Sequence, residues 1–141
     1  MKVLLDTCIL SEINKPEPEK SVISTISELE EQDIFTSVIC IGEIRKGVEL
    51  LANGKRKDKL NSWLINFEKY YSNRILRIDL EIVNVWGKLT ANAQKSGRII
   101  SATDGLIAAT GIKNNLSVMT RNVKDFELSG ASIVNPWERE I

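Results

Sequence analysis

Hydrophobic positions along the chain switch between two patterns, the short apolar run of a buried strand and the three-and-four spacing of a helix. The first run, Val3-Leu4-Leu5, starts almost at Met1 and ends on Asp6. It predicts a strand over 2–5, with Thr7 placed to cap a short helix over 8–14. Pro16 and Pro18 stop that helix. Val22, Ile23, Ile26 and Leu29 recur at helical spacing and predict a helix over 19–32. Ile34-Phe35-Thr36-Ser37 is strand-like, and the residues from 38 to Asn53 read as a helix closed by Asn53-Gly54. Leu60, Trp63, Leu64 and Phe67 mark a charged amphipathic helix over 55–71. A strand over 75–78, a helix over 79–96, a connector over 97–102 and a helix over 103–113 follow. Two late strands, over 116–120 and 131–134, precede Asn135-Pro136-Trp137. Strands alternating with helices imply a parallel sheet covered on both faces.

Three acids interrupt this apolar pattern. Asp6 sits at the C-terminal end of the first strand, where open α/β sheets place their ligands. At 100° per residue, Glu43 falls between Leu50 and Gly47, in the helical sector that also holds Ile39, Cys40, Ile44 and Val48. Arg45, Lys46, Glu49 and Asn53 occupy the opposite sector. Asp104 is the sole charge between Thr103 and Ile112, on a helix apolar nearly all round and therefore expected to be buried. Each acid also has a structural reading: an Asx-type turn at Asp6, an ion pair with Lys or Arg or a place at the edge of the apolar face at Glu43, and first-turn capping at Asp104. Taken together they point elsewhere. Three unneutralised carboxylates from three elements repel one another and rise in pKa, and a divalent cation removes that conflict.

Composition narrows which cation. The 141 residues suit one domain over 1–141, and the 43% hydrophobic share is that of a globular protein with a core of its own. There is no histidine, which excludes histidine-based zinc sites and Ser-His or Cys-His nucleophiles. A metal site here is built from oxygen ligands, suiting Mg²⁺ or Mn²⁺. Nineteen basic residues balance nineteen acidic ones, which argues against broad electrostatic coating of nucleic acid but not against a nucleic-acid enzyme. Cys8 and Cys40 imply no disulfide framework, so a reducing cytoplasm fits. No apolar stretch is long enough for a membrane span.

The loop Thr120-Arg121-Asn122-Val123-Lys124-Asp125-Phe126 leaves another strand at its C-terminal end. Asn122 or Asp125 is a candidate fourth oxygen ligand, and Arg121 a candidate phosphate contact or partner for an acid. Phe126 is read as a core anchor, as are Trp63, Trp86 and Trp137. Lys55-Arg56-Lys57 with Lys59 is either a solvated helix start or a contact for an RNA backbone.

Four segments in this order resemble the PIN-domain family, and most closely its VapC-type toxins, in the branch that includes FitB-like proteins. They are Leu4-Leu5-Asp6-Thr7, Ile41-Gly42-Glu43-Ile44-Arg45-Lys46-Gly47, Ala102-Thr103-Asp104-Gly105-Leu106-Ile107-Ala108-Ala109 and Thr120-Arg121-Asn122, followed by Asn135-Pro136-Trp137. The resemblance implies a three-layer α/β/α sandwich on a parallel sheet of about five strands. It implies a Mg²⁺- or Mn²⁺-dependent endoribonuclease acting as the toxin of a toxin–antitoxin module, with Asp6, Glu43 and Asp104 as catalytic, metal-binding acids. Thr7 and Arg121 are then candidate RNA contacts. Implied partners are RNA, a cognate antitoxin and a second copy of the chain, in the cytoplasm and with no membrane. In related proteins an aspartate often directly follows the Thr-Arg pair; here that position is Asn122, and Asp125 stands three residues on. The alternative is a PIN-like module that binds RNA or a partner without cleaving.

Overall fold

The computed structural model describes residues 1–138. In chain order the elements are β1 (Val3–Leu5), α1 (Thr7–Ile13), α2 (Lys20–Ser27), β2 (Ile34–Ser37), α3 (Val38–Leu50) and α4 (Lys55–Tyr70). Then come β3 (Ile75–Leu76), α5 (Leu80–Lys95), α6 (Ala102–Lys113), β4 (Ser117–Met119), α7 (Val123–Phe126) and β5 (Ile133–Val134). All strand pairs are parallel and the five strands run in the order β3-β2-β1-β4-β5. Helices flank the sheet, giving the expected α/β/α sandwich.

The strand order places the site. The chain builds outward from β1 through β2 to β3, then returns to lay β4 against the other side of β1. Val3 therefore pairs with both Ile34 and Ser117, and Leu4 with both Phe35 and Val118. The reversal between β1 and β4 is a topological switch point, and the chains leaving these strands diverge to open a crevice at their C-terminal ends. Asp6 stands at that edge, and its N–H still donates to Met119 O at 3.0 Å.

A strand buried on both faces must be apolar on both sides, which is why Val3, Leu4 and Leu5 form a continuous run. The core joins them to Ile9 and Leu10 of α1, Ile107, Ala108 and Ala109 of α6, Val118 and Met119 of β4, and Phe126. The apolar composition of α6 has its counterpart in burial from Ile107 to Gly111. Small residues let α6 approach its neighbours. A Cβ on Gly111 would lie 3.1 Å from Val118 Cγ2 and 3.2 Å from Leu116 O.

Several expectations from the sequence are corrected. The helix expected over 19–32 stops at Ser27, and a single 3₁₀ turn over Glu31–Asp33 feeds β2. Its apolar spacing overstated the buried face, which is Ser21, Val22 and Thr25, with Ile23 outside it. The third strand is only Ile75–Leu76, because its partner β2 turns into α3 at Val38 and leaves residues 77 and 78 nothing to pair with. The loop after β4 contains the short helix α7. Thr7 does not cap α1: Asp6 does, with Thr7 as the first helical residue.

Candidate active site

Asp6 has two local tasks besides any chemistry. Its extended backbone (φ −71°, ψ 163°) joins strand to helix, and its Oδ1 accepts from Thr7 N at 2.8 Å. Asp6 thus links strand to helix as the sequence reading has it, but its Oδ1 bonds the next N–H rather than the one two residues on that an Asx turn uses. Its other oxygen, Oδ2, accepts from Thr120 Oγ1 at 2.8 Å and from the Cys8 thiol at 3.7 Å. Thr120 follows β4, so this bond ties the two strands together across the switch point. Asn122 N–H donates to Thr120 Oγ1 at 3.0 Å and fixes the rotor that holds Asp6.

Glu43 is brought in by α3, whose start is capped by Ser37 Oγ accepting from Ile39 N. The Thr7 hydroxyl donates to Glu43 Oε1 at 2.6 Å. Thr7 therefore bridges two acids, its N–H to Asp6 and its hydroxyl to Glu43. The sector of α3 that carries Glu43 is core only in part: Cys40 and Val48 are buried and Ile39 and Ile44 pack against the core. Gly47 and Leu50 are exposed, and only Cys40 and Val48 of this helix are fully buried. The helix face borders a cleft, which leaves a carboxylate there half-buried rather than entombed.

Asp104 occupies the third position of α6. Ser101 provides the cap, its Oγ accepting from Asp104 N at 3.2 Å. Asp104 thus complements the helix N-terminus without being its cap. Asp125, on α7, and Asn122, the residue before it, are both exposed. Arg121 is exposed too, and its guanidinium lies over the Trp137 ring at 5.3 Å.

The electrostatics link what the four elements carry. Burial pushes the Asp6 carboxyl above its ordinary value, the bonds from Thr120 and Thr7 oppose the rise, and the Glu43 charge adds to it. Burial likewise raises Asp104, a bond with Ser101 opposes it, and the charges of Asp6, Asp125 and Glu43 push it further. Among the described residues none of these carboxylates has a Lys or Arg ion-pair partner, so the pairing reading for Glu43 fails. Nor do three acidic or cysteine side chains close into a ready-made cation cage among the described residues. Glu43 borders the cleft between α1, α3 and α4, and Asp125 borders a second one with Arg121 and Asn122. Thiolate ligands are disfavoured as well: burial pushes Cys40 up to about 12 and raises Cys8.

Sequence reasoning missed Thr120 as the hydroxyl that holds Asp6, and Cys8 and Ser101 beside the acids. The one signal for Thr120 was its position at the end of a strand next to β1, which becomes visible only when the strand order is known.

This fold has counterparts among known proteins. A family model described as PIN domain matches residues 3–128. The chain belongs to the PIN-domain family. It is 33% identical over 140 residues to the plasmid stability protein StbB of Pseudomonas syringae pv. tomato, covering 96% of this chain and 99% of that one. It is 35% identical over 136 residues to toxin FitB of Neisseria gonorrhoeae (96% and 98% covered). To the VapC ribonuclease Y4jK of Sinorhizobium fredii it is 34% identical over 137 residues (96% and 98%). The crystal structure of FitAcB from Neisseria gonorrhoeae superposes with a TM-score of 0.92 at 34% identity, covering 97% of this chain and 99% of that one.

Proposed function

We propose that this chain is a divalent-metal-dependent endoribonuclease, the toxin of a toxin–antitoxin module, with Asp6, Glu43 and Asp104 as its catalytic acids. The observation that carries the reading is the electrostatic coupling of Asp104 to Asp6, Asp125 and Glu43, and of Asp6 to Glu43, with no Lys or Arg ion pair at any of the four among the described residues. The similarity to a protein named as a ribonuclease and to one named as a toxin supports it.

The donor set fits Mg²⁺ or Mn²⁺. All four side chains offer carboxylate oxygens, and an open crevice suits a hard cation that retains several waters. Asp6, Glu43 and Asp104 would hold it, with Asp125 or Asn122 adding a fourth oxygen; of these two only Asp125 is charged, and its charge acts on Asp104. When bound, the ion supplies Lewis acidity, activating water as the nucleophile and neutralising charge on the phosphoryl oxygens.

The chain's own groups set the geometry. Thr7 and Thr120 orient the two Asp6 oxygens, and Thr7 turns Glu43 toward the same crevice. With no histidine, the proton released by the attacking water passes to a carboxylate of this set or to solvent. The products are then a 5′-phosphate and a 3′-hydroxyl. With its hydroxyl engaged by Glu43, Thr7 serves RNA indirectly, by positioning, while the exposed Arg121 is free to meet a phosphate. A cognate antitoxin blocks the crevice, a second copy of the chain pairs with the first, and the cytoplasm is where its RNA lies. No helix among the described residues is long and apolar enough to cross a membrane.

The test is cleavage of RNA by antitoxin-free protein with Mg²⁺ or Mn²⁺, with EDTA, and with Asp104→Asn. Metal-dependent cleavage by the wild type and a loss of at least about 100-fold in the variant are expected. Equal cleavage by both proteins, or cleavage that survives EDTA, rejects the reading.

A further inference from the structure

The basic cluster at the start of α4 is divided by the fold. Lys57 is committed to the end of α3, with its Nζ 3.3 Å from Glu49 O, 3.5 Å from Asn53 Oδ1 and 3.9 Å from Glu49 Oε2. Lys55 is not among the residues lining the cleft beside α3. Arg56 and Lys59 line it, and among the described residues neither has a hydrogen bond or an ion pair. With Leu60 and Trp63 they occupy positions i, i+3, i+4 and i+7, one face of α4 about 10 Å long.

The cleft holds about 590 Å³. Thr7 and Glu43 are among its lining residues, which sets it beside the acids. Its walls are mostly apolar, and besides Lys15, which pairs with Glu12, Arg56 and Lys59 add two cations without an ion pair among the described residues. An aromatic ring and positive charge lining one cleft is an arrangement that takes a single nucleic-acid strand, with bases on the aromatic and phosphates on the cations. The acids alone cannot hold RNA, since a carboxylate cluster repels phosphate. An extended cationic contact next to them meets that need.

We infer that this cleft between α1, α3 and α4 is a subsite for single-stranded RNA flanking the scissile bond, with Arg56 and Lys59 on its backbone and Trp63 against a base. The inference rests on the ribonuclease reading for the identity of the nucleic acid.

Arg56→Ala/Lys59→Ala tests it. Both residues are exposed, so the fold is retained, as an unchanged circular dichroism spectrum and Tm verify. A short fluorescein-labelled single-stranded RNA is titrated by anisotropy into metal-free protein over a salt series. Affinity is expected to fall about tenfold near physiological salt, and the salt slope to flatten by about 1.4, from two contacts at about 0.7 each. Trp63→Leu is expected to weaken binding at least about fivefold without changing the slope. Lys46→Ala/Lys55→Ala removes the same charge outside the cleft and is expected to alter neither quantity. Equal losses in the two double variants overturn the inference. So does unchanged RNA affinity in Arg56→Ala/Lys59→Ala, including the case where that variant instead loses a co-expressed protein partner. Cleavage is followed in parallel with Mg²⁺. Cleft-dependent binding without any cleavage rejects the nuclease reading and supports this one; metal-dependent cleavage with unchanged binding does the reverse.

Discussion

Asp6 carries three roles on one carboxylate: helix cap, acceptor across the switch point, and proposed metal ligand. Their demands conflict, and pH reveals it. Its folded-state pKa is raised above the ordinary 3.8, mainly by burial. The folded state therefore binds the proton more tightly than the unfolded chain does. The stability this contributes is fully present below 3.8 and is lost as pH rises through the folded value. At neutral pH the metal-free protein thus holds an ionised Asp6 at a cost. Asp6→Asn keeps the cap, since Asn caps as well as Asp, and removes the charge. Its Tm in EDTA at pH 7 is expected to equal or exceed that of the wild type while cleavage is lost. A Tm several degrees lower would show that the bonds from Thr7 and Thr120 outweigh the burial of charge. Asp6 was legible at this scale because a lone acid ending an apolar strand is conspicuous. Thr120 was not, because a threonine at a strand end is ordinary until its neighbour is known.

Two elements are positioned by contacts that leave no room for change. The α6 backbone meets α5 at Gly105, where an added Cβ would lie 2.9 Å from Trp86 Cδ1, 3.0 Å from Trp86 Nε1 and 3.1 Å from Thr90 Cγ2. Gly105→Ala is expected to cost about 1–3 kcal/mol by overpacking. It should also reduce cleavage beyond the stability loss, because Asp104 is the adjacent residue. Adding Trp86→Leu relieves the clash, and the double variant should recover Tm and activity together; additive losses would deny the coupling. The second contact joins α1 to α2 across Pro16-Glu17-Pro18. Glu12 is buried, its Oε1 2.9 Å from Lys15 Nζ and its Oε2 accepting from Glu19 N at 2.9 Å. The Lys15 bond, then the Glu19 bond, holds its pKa below the ordinary 4.5. Stability from a lowered acid is present above 4.5 and lost as pH falls through the folded value. Glu12→Gln is expected to lower Tm at pH 7, with the gap to wild type closing on acidification; thermal melts across pH check it. The prolines foretold the break between these helices, but the buried glutamate spanning it needs three dimensions to be seen.

Among the described residues, Asp6, Glu43, Asp104 and Asp125 have no Lys or Arg ion pair, so a cation bound by them would be linked to folding. An ion that binds the folded state alone stabilises it by about 2.7 kcal/mol at one hundred times its Kd. For a chain of this size that corresponds to roughly 5–10 °C in Tm. Saturating Mg²⁺ or Mn²⁺ is expected to raise Tm by this order in the wild type and not in Asp6→Asn/Asp104→Asn. Asp125→Asn should reduce the shift and Asn122→Ala should leave it nearly intact; the reverse order would assign the fourth position to Asn122. Equal shifts in every variant would place the cation elsewhere.

The alternation of strands and helices, and with it the α/β class, was determined by the sequence, because the period of the apolar positions is a local property. So was the restriction to oxygen ligands, since a chain with no histidine and only two cysteines far apart in sequence offers few other donors. The acids at Asp6, Glu43 and Asp104 stood out for the same local reason: each is a charge where the pattern demands an apolar residue. Tertiary structure alone decided that these acids feel one another's charge, because the strand order that puts β4 beside β1 depends on contacts far apart in the chain. It alone divided the basic cluster, giving Lys57 to a helix end and leaving Arg56 and Lys59 to the cleft. It also gave Asp6 the helix cap expected of Thr7. A charge's position along the chain is local information, but its partners, its burial and its repulsions are fixed only when distant segments meet.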